Sequence, residues 1–202
     1  MKEYYYDKLL NIRTTGKGPT NNTTNYHPYE PTPYSALEEL FANYEVKPTD
    51  YFVDFGCGKG RLNFFIHYYY QTTVTGIDFN QTFYRQAMEN LQRYKTKTKT
   101  SVENVKFQCS KAEQYIINPK DNRFYFFNPF SVQIFMSVIH NILKSMEQYN
   151  RAVDLILYYP SKEYIFYLEH HTTFELKDEI LLPYAYEKDS SERFLIYHLA
   201  IS

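Results

Sequence analysis

Tyr51-Phe52-Val53-Asp54-Phe55-Gly56-Cys57-Gly58-Lys59-Gly60-Arg61 is the stretch on which the reading of this chain turns. Its first half is an apolar run bounded by glycines and reads as a buried strand. Leu62, Phe64, Phe65 and Ile66 behind it have room for a helix. A strand therefore ends in a glycine turn that opens a helix. Residues without Cβ let the chain turn sharply and let a ligand lie on the backbone. The unpaired N–H groups and positive dipole end at a helix start attract negative or strongly polar groups. The dinucleotide fingerprint G-x-G-x-x-G needs a glycine at position 61, where Arg61 stands, and the third glycine comes one residue early at Gly60. That departure weakens a nicotinamide-dinucleotide reading.

Outward from this loop, Val74-Thr75-Gly76-Ile77-Asp78 reads as a second strand ending in an acid. Asp78 falls about 20 residues past the glycines, the offset at which a carboxylate bonds ribose hydroxyls in a βαβ nucleoside site. Phe83, Ala87, Met88 and Leu91 predict an amphipathic helix over 80–95, and Val105 to Cys109 a third strand, followed by Ser110-Lys111-Ala112-Glu113. Arg123 to Phe127 is a fourth strand running into Asn128-Pro129-Phe130. Val132, Phe135, Ile139, Ile142, Leu143 and Met146 mark a long helix, and 154–159 a fifth strand. Alternating strands and helices imply a parallel sheet covered on both faces. Broken alternation at Phe174, Leu176, Ile180 and Leu182, then the strand-like run 194–200, predict a closing hairpin. Upstream, Ser35 with Glu38 forms a capping box, and Tyr34, Leu37, Leu40, Phe41 and Tyr44 recur at helical spacing, so a helix is expected to end before Lys47-Pro48. Residues 1–33 read as an arm with one helical turn around Tyr5, Leu9 and Ile12. Pro28, Pro31 and Pro33 forbid continuous helix in its second half.

The string Val53-Asp54-Phe55-Gly56-Cys57-Gly58-Lys59-Gly60 resembles motif I of the class I, Rossmann-like S-adenosylmethionine (SAM)-dependent methyltransferases, and the resemblance extends over nearly everything from residue 34 onward. It implies an α/β fold, a three-layer α/β/α sandwich on a seven-stranded, mostly parallel sheet with an antiparallel last strand. The methyltransferase domain would cover 34–202, with 1–33 as an arm or lid, and SAM would be the cofactor. It also implies roles. Gly56, Cys57 and Gly58 would offer backbone contacts to SAM, Asp54 would support its ammonium end, and Asp78 would hold the ribose. Phe79 or Asn80 would flank the adenine, with Lys111 and Ala112 on the other side. Asn128-Pro129-Phe130 resembles the Asn/Asp-Pro-Pro-aromatic motif of amino methyltransferases, in which an amide oxygen and a main-chain carbonyl accept from a substrate amine; one proline of that motif is missing. These three residues are the catalytic candidates, with Asn128 also beside the cofactor. The acceptor stays open among small molecules, proteins and nucleic acids, and a SAM-binding interaction module without catalysis is the alternative. Tyr26, Tyr29, Glu30 and Tyr34 either line a substrate pocket or pack the arm onto the domain.

Composition sets the bounds. A chain of 202 residues fits one domain and can bury a core without staples. With a net charge of −1 no overall positive field draws it to nucleic acid or anionic lipid, so a nucleic-acid partner is not favoured. The run Lys95-Thr96-Lys97-Thr98-Lys99-Thr100 is expected as a solvated loop at the end of the sheet away from the ligand. Cys57 and Cys109 cannot frame disulfides, and no Cys or His spacing suits zinc, so no metal is expected. Without a signal peptide or an 18-residue apolar run, the expectation is a cytoplasmic chain with no membrane partner. The 23 tyrosines and 16 phenylalanines predict a core of flat rings. Oligomeric state is not legible.

Overall fold

In a computed structural model, which describes residues 2–16, 25–99, 101–183 and 185–200, the strand of the opening stretch lies at the centre of the molecule. In chain order the elements are α1 (Lys2–Leu10), α2 (Tyr34–Asn43), β1 (Tyr51–Phe55), α3 (Arg61–Tyr70), β2 (Thr73–Asp78), α4 (Gln81–Thr98) and β3 (Val105–Cys109). A 3-10 turn (Ala112–Gln114) follows, then β4 (Arg123–Phe127), α5 (Val132–Gln148), β5 (Val153–Tyr158), α6 (Lys162–His171), β6 (Glu175–Leu181) and β7 (Arg193–Leu199). The sheet order is β3-β2-β1-β4-β5-β7-β6. The first five strands are parallel, and β7 runs antiparallel between β5 and β6. This is the expected seven-stranded α/β sheet. Its order reverses between β1 and β4, the place where doubly wound folds bind ligands beyond the strand ends.

Strand alternation divides the core into two layers. Phe52, Tyr125 and Ile156 join the cluster built with α1, α2 and α3, whereas Val53, Phe55, Phe124, Phe126, Leu155 and Leu157 join the one built with α5 and α6. On α5, Phe135, Val138, Ile139 and Ile142 carry the buried stripe.

The chain departs from the sequence reading in several places. The capping box does not form: α2 starts at Tyr34 with Pro33 in the cap position and no side-chain cap. Glu38 is instead taken by Lys2 and by the Tyr6 hydroxyl of α1, and the Tyr34 N–H donates to Glu3 Oε1 (3.0 Å). The turn expected near Tyr5 and Leu9 is a full helix, α1, whose Tyr6 and Leu10, with Ile12 beyond its end, sit in the core. Lys95 to Thr98 are not a loop but the last turn of α4, which ends when Lys99 enters the left-handed region at φ 55°; Thr100 lies outside the described residues. The fifth strand comes one residue early, at 153–158. α6 has no counterpart in the sequence reading, because Tyr164 and Leu168 are its only buried residues. Its start is fixed by Ser161, whose hydroxyl accepts from the Tyr164 N–H (3.2 Å).

Candidate cofactor and acceptor crevice

The glycine loop is pinned to the end of β2. Gly56, Gly58 and Gly60 have φ of 79°, 53° and 83°, conformations that side chains resist. The N–H groups of Gly56 and Cys57 both donate to Ile77 O (2.8 and 3.1 Å), and that of Gly60 donates to Cys57 O (2.8 Å). Asp78 completes the attachment: Oδ2 accepts from Gly58 N–H (2.9 Å) and Oδ1 from Asn80 N–H (2.8 Å). Gly56 also permits a close approach of two loops, since a Cβ there would fall 2.6 Å from Pro129 Cβ.

Beneath the loop lies Asp54, buried. The Asn63 carboxamide, oriented by its two neighbours, donates to Asp54 Oδ2 (3.0 Å) and accepts from Gly76 N–H (3.1 Å). Burial, then the charge of Asp78, pushes the Asp54 carboxyl up to about 8. Burial raises Asp78 to about 6 against the two backbone donors that favour its anion. Burial, with the charges of Asp78 and Asp54, also holds the Cys57 thiol well above its ordinary value, which disfavours a thiolate there.

The opposite wall is the turn after β4. Asn128 is in the left-handed region (φ 39°), and its Oδ1 is buried with no hydrogen-bond partner among the described residues. Phe130 is buried, and its carbonyl accepts from the Tyr164 hydroxyl.

The second half of the arm closes the top. His27 N–H donates to Pro129 O (3.1 Å), Ser131 N–H donates to Asn25 O (2.9 Å), and Tyr26 bridges to Phe130. The Nδ1 atom of His27 lies 2.6 Å from Asn128 O; a carbonyl only accepts, so Nδ1 carries the proton in this arrangement. The Tyr26 ring stands 3.9 Å from that of Phe79, centroid to centroid. The Tyr29 ring lies on Gly58, where a Cβ would collide with it. Lys59 Nζ is 4.9 Å from the ring centroid, and the Tyr29 hydroxyl donates to Thr14 O (2.7 Å). Arg61, the residue that breaks the dinucleotide fingerprint, ties the arm down through Thr14 Oγ1 (2.8 Å), Thr32 O (3.0 Å) and Glu3. The cavity left under the arm is about 60 Å³.

Of the residues singled out in the sequence, Gly56, Asp78, Phe79, Ala112, Pro129 and Phe130 line this crevice. Asp54 and Cys57 lie beneath the loop, Gly58 lies under Tyr29, and Lys111 is exposed. Asn80 caps α4, its side-chain oxygen accepting from Thr82 N–H (2.9 Å) and Phe83 N–H (3.3 Å). Tyr26, Tyr29 and Glu30 do line the pocket, while Tyr34 is buried against Asp7 of α1 instead. His27, Pro28 and Phe83 were missed. The cluster of prolines and aromatic rings before α2 was the one available signal for the first two.

Residues 33–127 match a family described as a methyltransferase domain. A comparison with curated proteins gives no match. Among solved structures, the chain is similar to the [4+2]-cyclase SpnF (TM-score 0.62, 14% identity, covering 100% of this chain and 95% of that one). It is also similar to an RNA methyltransferase from Salinibacter ruber in complex with S-adenosyl-L-homocysteine (TM-score 0.54, 14% identity, 85% and 94%). A SAM-dependent methyltransferase from Thiobacillus denitrificans, in complex with the same compound, gives a TM-score of 0.52 at 14% identity, covering 85% and 92%. At such identities the structural likeness establishes the fold, and the family match covers the glycine loop, Asp78 and β4. Residues 33–127 thus carry a methyltransferase domain, on a Rossmann-like α/β fold shared with SAM-dependent methyltransferases.

Proposed function

We propose that SAM lies along the crevice between the glycine loop and the turn after β4, and that the methyl acceptor is presented at Asn128-Pro129-Phe130. The observation that carries this is convergence: the ends of β1, β2 and β4 and the turn after β3 meet at one cavity at the switch in strand order. The residues fit an adenosyl ligand. The backbone at Gly58 is bare enough for a flat ring to lie on it, and the Asn128 oxygen is a buried acceptor without a partner. One carboxylate, Asp78, stands at the loop on the side where a cation would be favoured, and Asp54 lies beneath it, protonated below about pH 8.

In this arrangement Asp78 holds the loop and the ribose end, Phe79 and Ala112 flank the base, and the loop backbone from Gly56 to Gly58 follows the methionine part. SAM supplies a methyl group on a carbon already activated for displacement, so the chain has to position the acceptor and exclude water rather than provide a strong base. Asn128 Oδ1 and the neighbouring main-chain carbonyls are the acceptors for an acceptor N–H. His27 already donates to two of those carbonyls, which supports their suitability for a nitrogen donor. The arm, 25–33, is the lid of this site. An RNA acceptor finds support in the Salinibacter ruber neighbour, itself an RNA methyltransferase.

Incubation of the purified chain with methyl-labelled SAM and a cell extract tests the reading. Label is expected in one of the protein, nucleic-acid or small-molecule fractions and is expected to fall at least tenfold with Asn128→Ala. Label transfer that is insensitive to Asn128→Ala would remove the acceptor assignment.

A further inference from the structure

We infer that the face formed by α1, the segment 11–15 and α4 is a docking surface for a single-stranded nucleic acid. This inference names the acceptor class for the crevice proposed above and rests on that reading. A groove of about 610 Å³ runs along the face, lined by Tyr4, Lys8, Asn11, Arg13, Thr15 and Arg93 together with Asp7 and Ile12. Lys97 lies one turn beyond Arg93 on α4 and so continues the same face. None of Lys8, Arg13, Arg93 and Lys97 is in an ion pair among the described residues. The groove's acid, Asp7, is buried and consumed: its oxygens accept from Thr14 N–H (2.8 Å), the Thr14 hydroxyl (2.7 Å) and the Tyr34 hydroxyl (2.8 Å).

The imbalance extends past the groove. Residues 81–99 carry five cations against Glu89 alone, whereas residues 160–199, at the far edge of the sheet, carry eight acids against four cations. A net charge of −1 therefore hides a molecule with a positive flank and a negative one, and a polyanion is steered to the former.

Two further features select a single strand. Tyr4 is 74% exposed at the groove wall, with Lys8 Nζ 6.0 Å from its ring centroid, so an aromatic platform stands beside a cation. An unpaired base can also be turned into a narrow crevice without opening a duplex. The groove leads there. Thr15 forms its near end, and the Thr15 carbonyl accepts from Lys59 Nζ (2.9 Å), in the residue next to Gly58. Its floor is firm, because Asn90 of α4 accepts from Arg13 N–H (2.9 Å) and donates to Lys59 O (3.0 Å), and Asn11 donates to Arg93 O (2.8 Å).

Fluorescence anisotropy with a labelled 12-nucleotide RNA of mixed sequence, with matching single-stranded DNA and with duplex DNA, tests this. With four phosphates neutralised, single-strand affinity is expected to fall about fiftyfold between 50 and 200 mM KCl. Arg13→Glu with Arg93→Glu is expected to lose at least tenfold at 50 mM and to flatten the salt slope by about 1.4. Tyr4→Ala is expected to lose about tenfold with the slope unchanged. Lys97→Glu, on an exposed turn, repeats the charge test without touching the groove floor. No single-strand binding by the wild type at 50 mM KCl, unchanged binding by the reversed variants, or duplex binding as tight as single-strand binding would overturn the inference. Thermal shift with S-adenosylhomocysteine is read separately. A chain that holds the strand but gives no shift overturns the cofactor assignment and leaves the docking face standing.

Discussion

Asp54 and Asp78 stand at the ends of neighbouring strands, one under the glycine loop and one bonded to it, and they titrate for different ends. Asp54 has its ordinary value near 3.8 in the unfolded chain and about 8 in the fold. As pH rises from 4 the unfolded chain ionises first while the native one keeps its proton, so the native state binds more protons and stability falls until about pH 8, then levels. Asp54→Asn should abolish much of that slope, raising stability relative to wild type at pH 8 by an amount on the order of a few kcal/mol, with no gain at pH 4.5. Thermal melts at the two pH values check it. In the proposed site Asp78 acts on binding. Below about pH 6 it takes up a proton and loses acceptor strength toward Gly58 and Asn80. Affinity for S-adenosylhomocysteine should therefore fall as pH drops through 6. Asp78→Ala should weaken binding by about 1.5 to 3 kcal/mol at pH 7.5, and calorimetry showing neither change would exclude Asp78 from the site.

At the scale of elements, the parts with strong periodicity were legible and those defined by partners were not. The glycine turn, β2 with its terminal acid and the α5 stripe could be read from Tyr51–Arg61, Asp78 and Phe135-Val138-Ile139-Ile142 alone. The capping box at Ser35 and Glu38 failed because Lys2 and Tyr6, over thirty residues away, bind Glu38, and local spacing cannot anticipate such a partner. α6 was missed because it presents so short a buried face, and the path of the arm because prolines exclude helix without saying where a chain goes. Arg61 shows the same limit. In the sequence it only replaces a glycine; in the fold it is 4% exposed and joins α1, the arm and α3. Arg61→Ala should cost about 3 kcal/mol, since the lost guanidinium leaves Thr14, Thr32 and Glu3 without their shared donor. Denaturant unfolding that moves by less than about 1 kcal/mol would show the arm to be held by other contacts.

For the molecule as a whole, the order β3-β2-β1-β4-β5-β7-β6 puts the crevice at one end of the sheet, and the charge divides along the sheet's width. No helix among the described residues is long and apolar enough to cross a membrane. Fold and crevice followed from the order of motifs. The positive flank did not, because it draws on α1 and α4, which the sequence holds about seventy residues apart and which net charge averages away. The cavity of about 60 Å³ is far below the roughly 300 Å³ at which small-molecule pockets begin, so under the proposed placement of the cofactor the arm has to yield. Tyr29→Ala should speed S-adenosylhomocysteine association in stopped-flow fluorescence and tighten its binding at least threefold, and slower association would mean that the ring serves to receive the ligand instead.

The tyrosine seated on Gly58 has a consequence for how such a protein senses its surroundings. Anchored on both sides by α1 and α2, it is a rival that never diffuses away, and a tether this short keeps a competitor at an effective concentration on the order of millimolar. In the proposed site the donor would have to outcompete that occupant, so its apparent affinity would be the intrinsic one reduced by the fraction of molecules with the seat vacant. Turnover would then track the supply of methyl donor over a range set by the chain's own arm, and a strand arriving at Thr15, beside the lysine that rests on that ring, would be placed to alter the range.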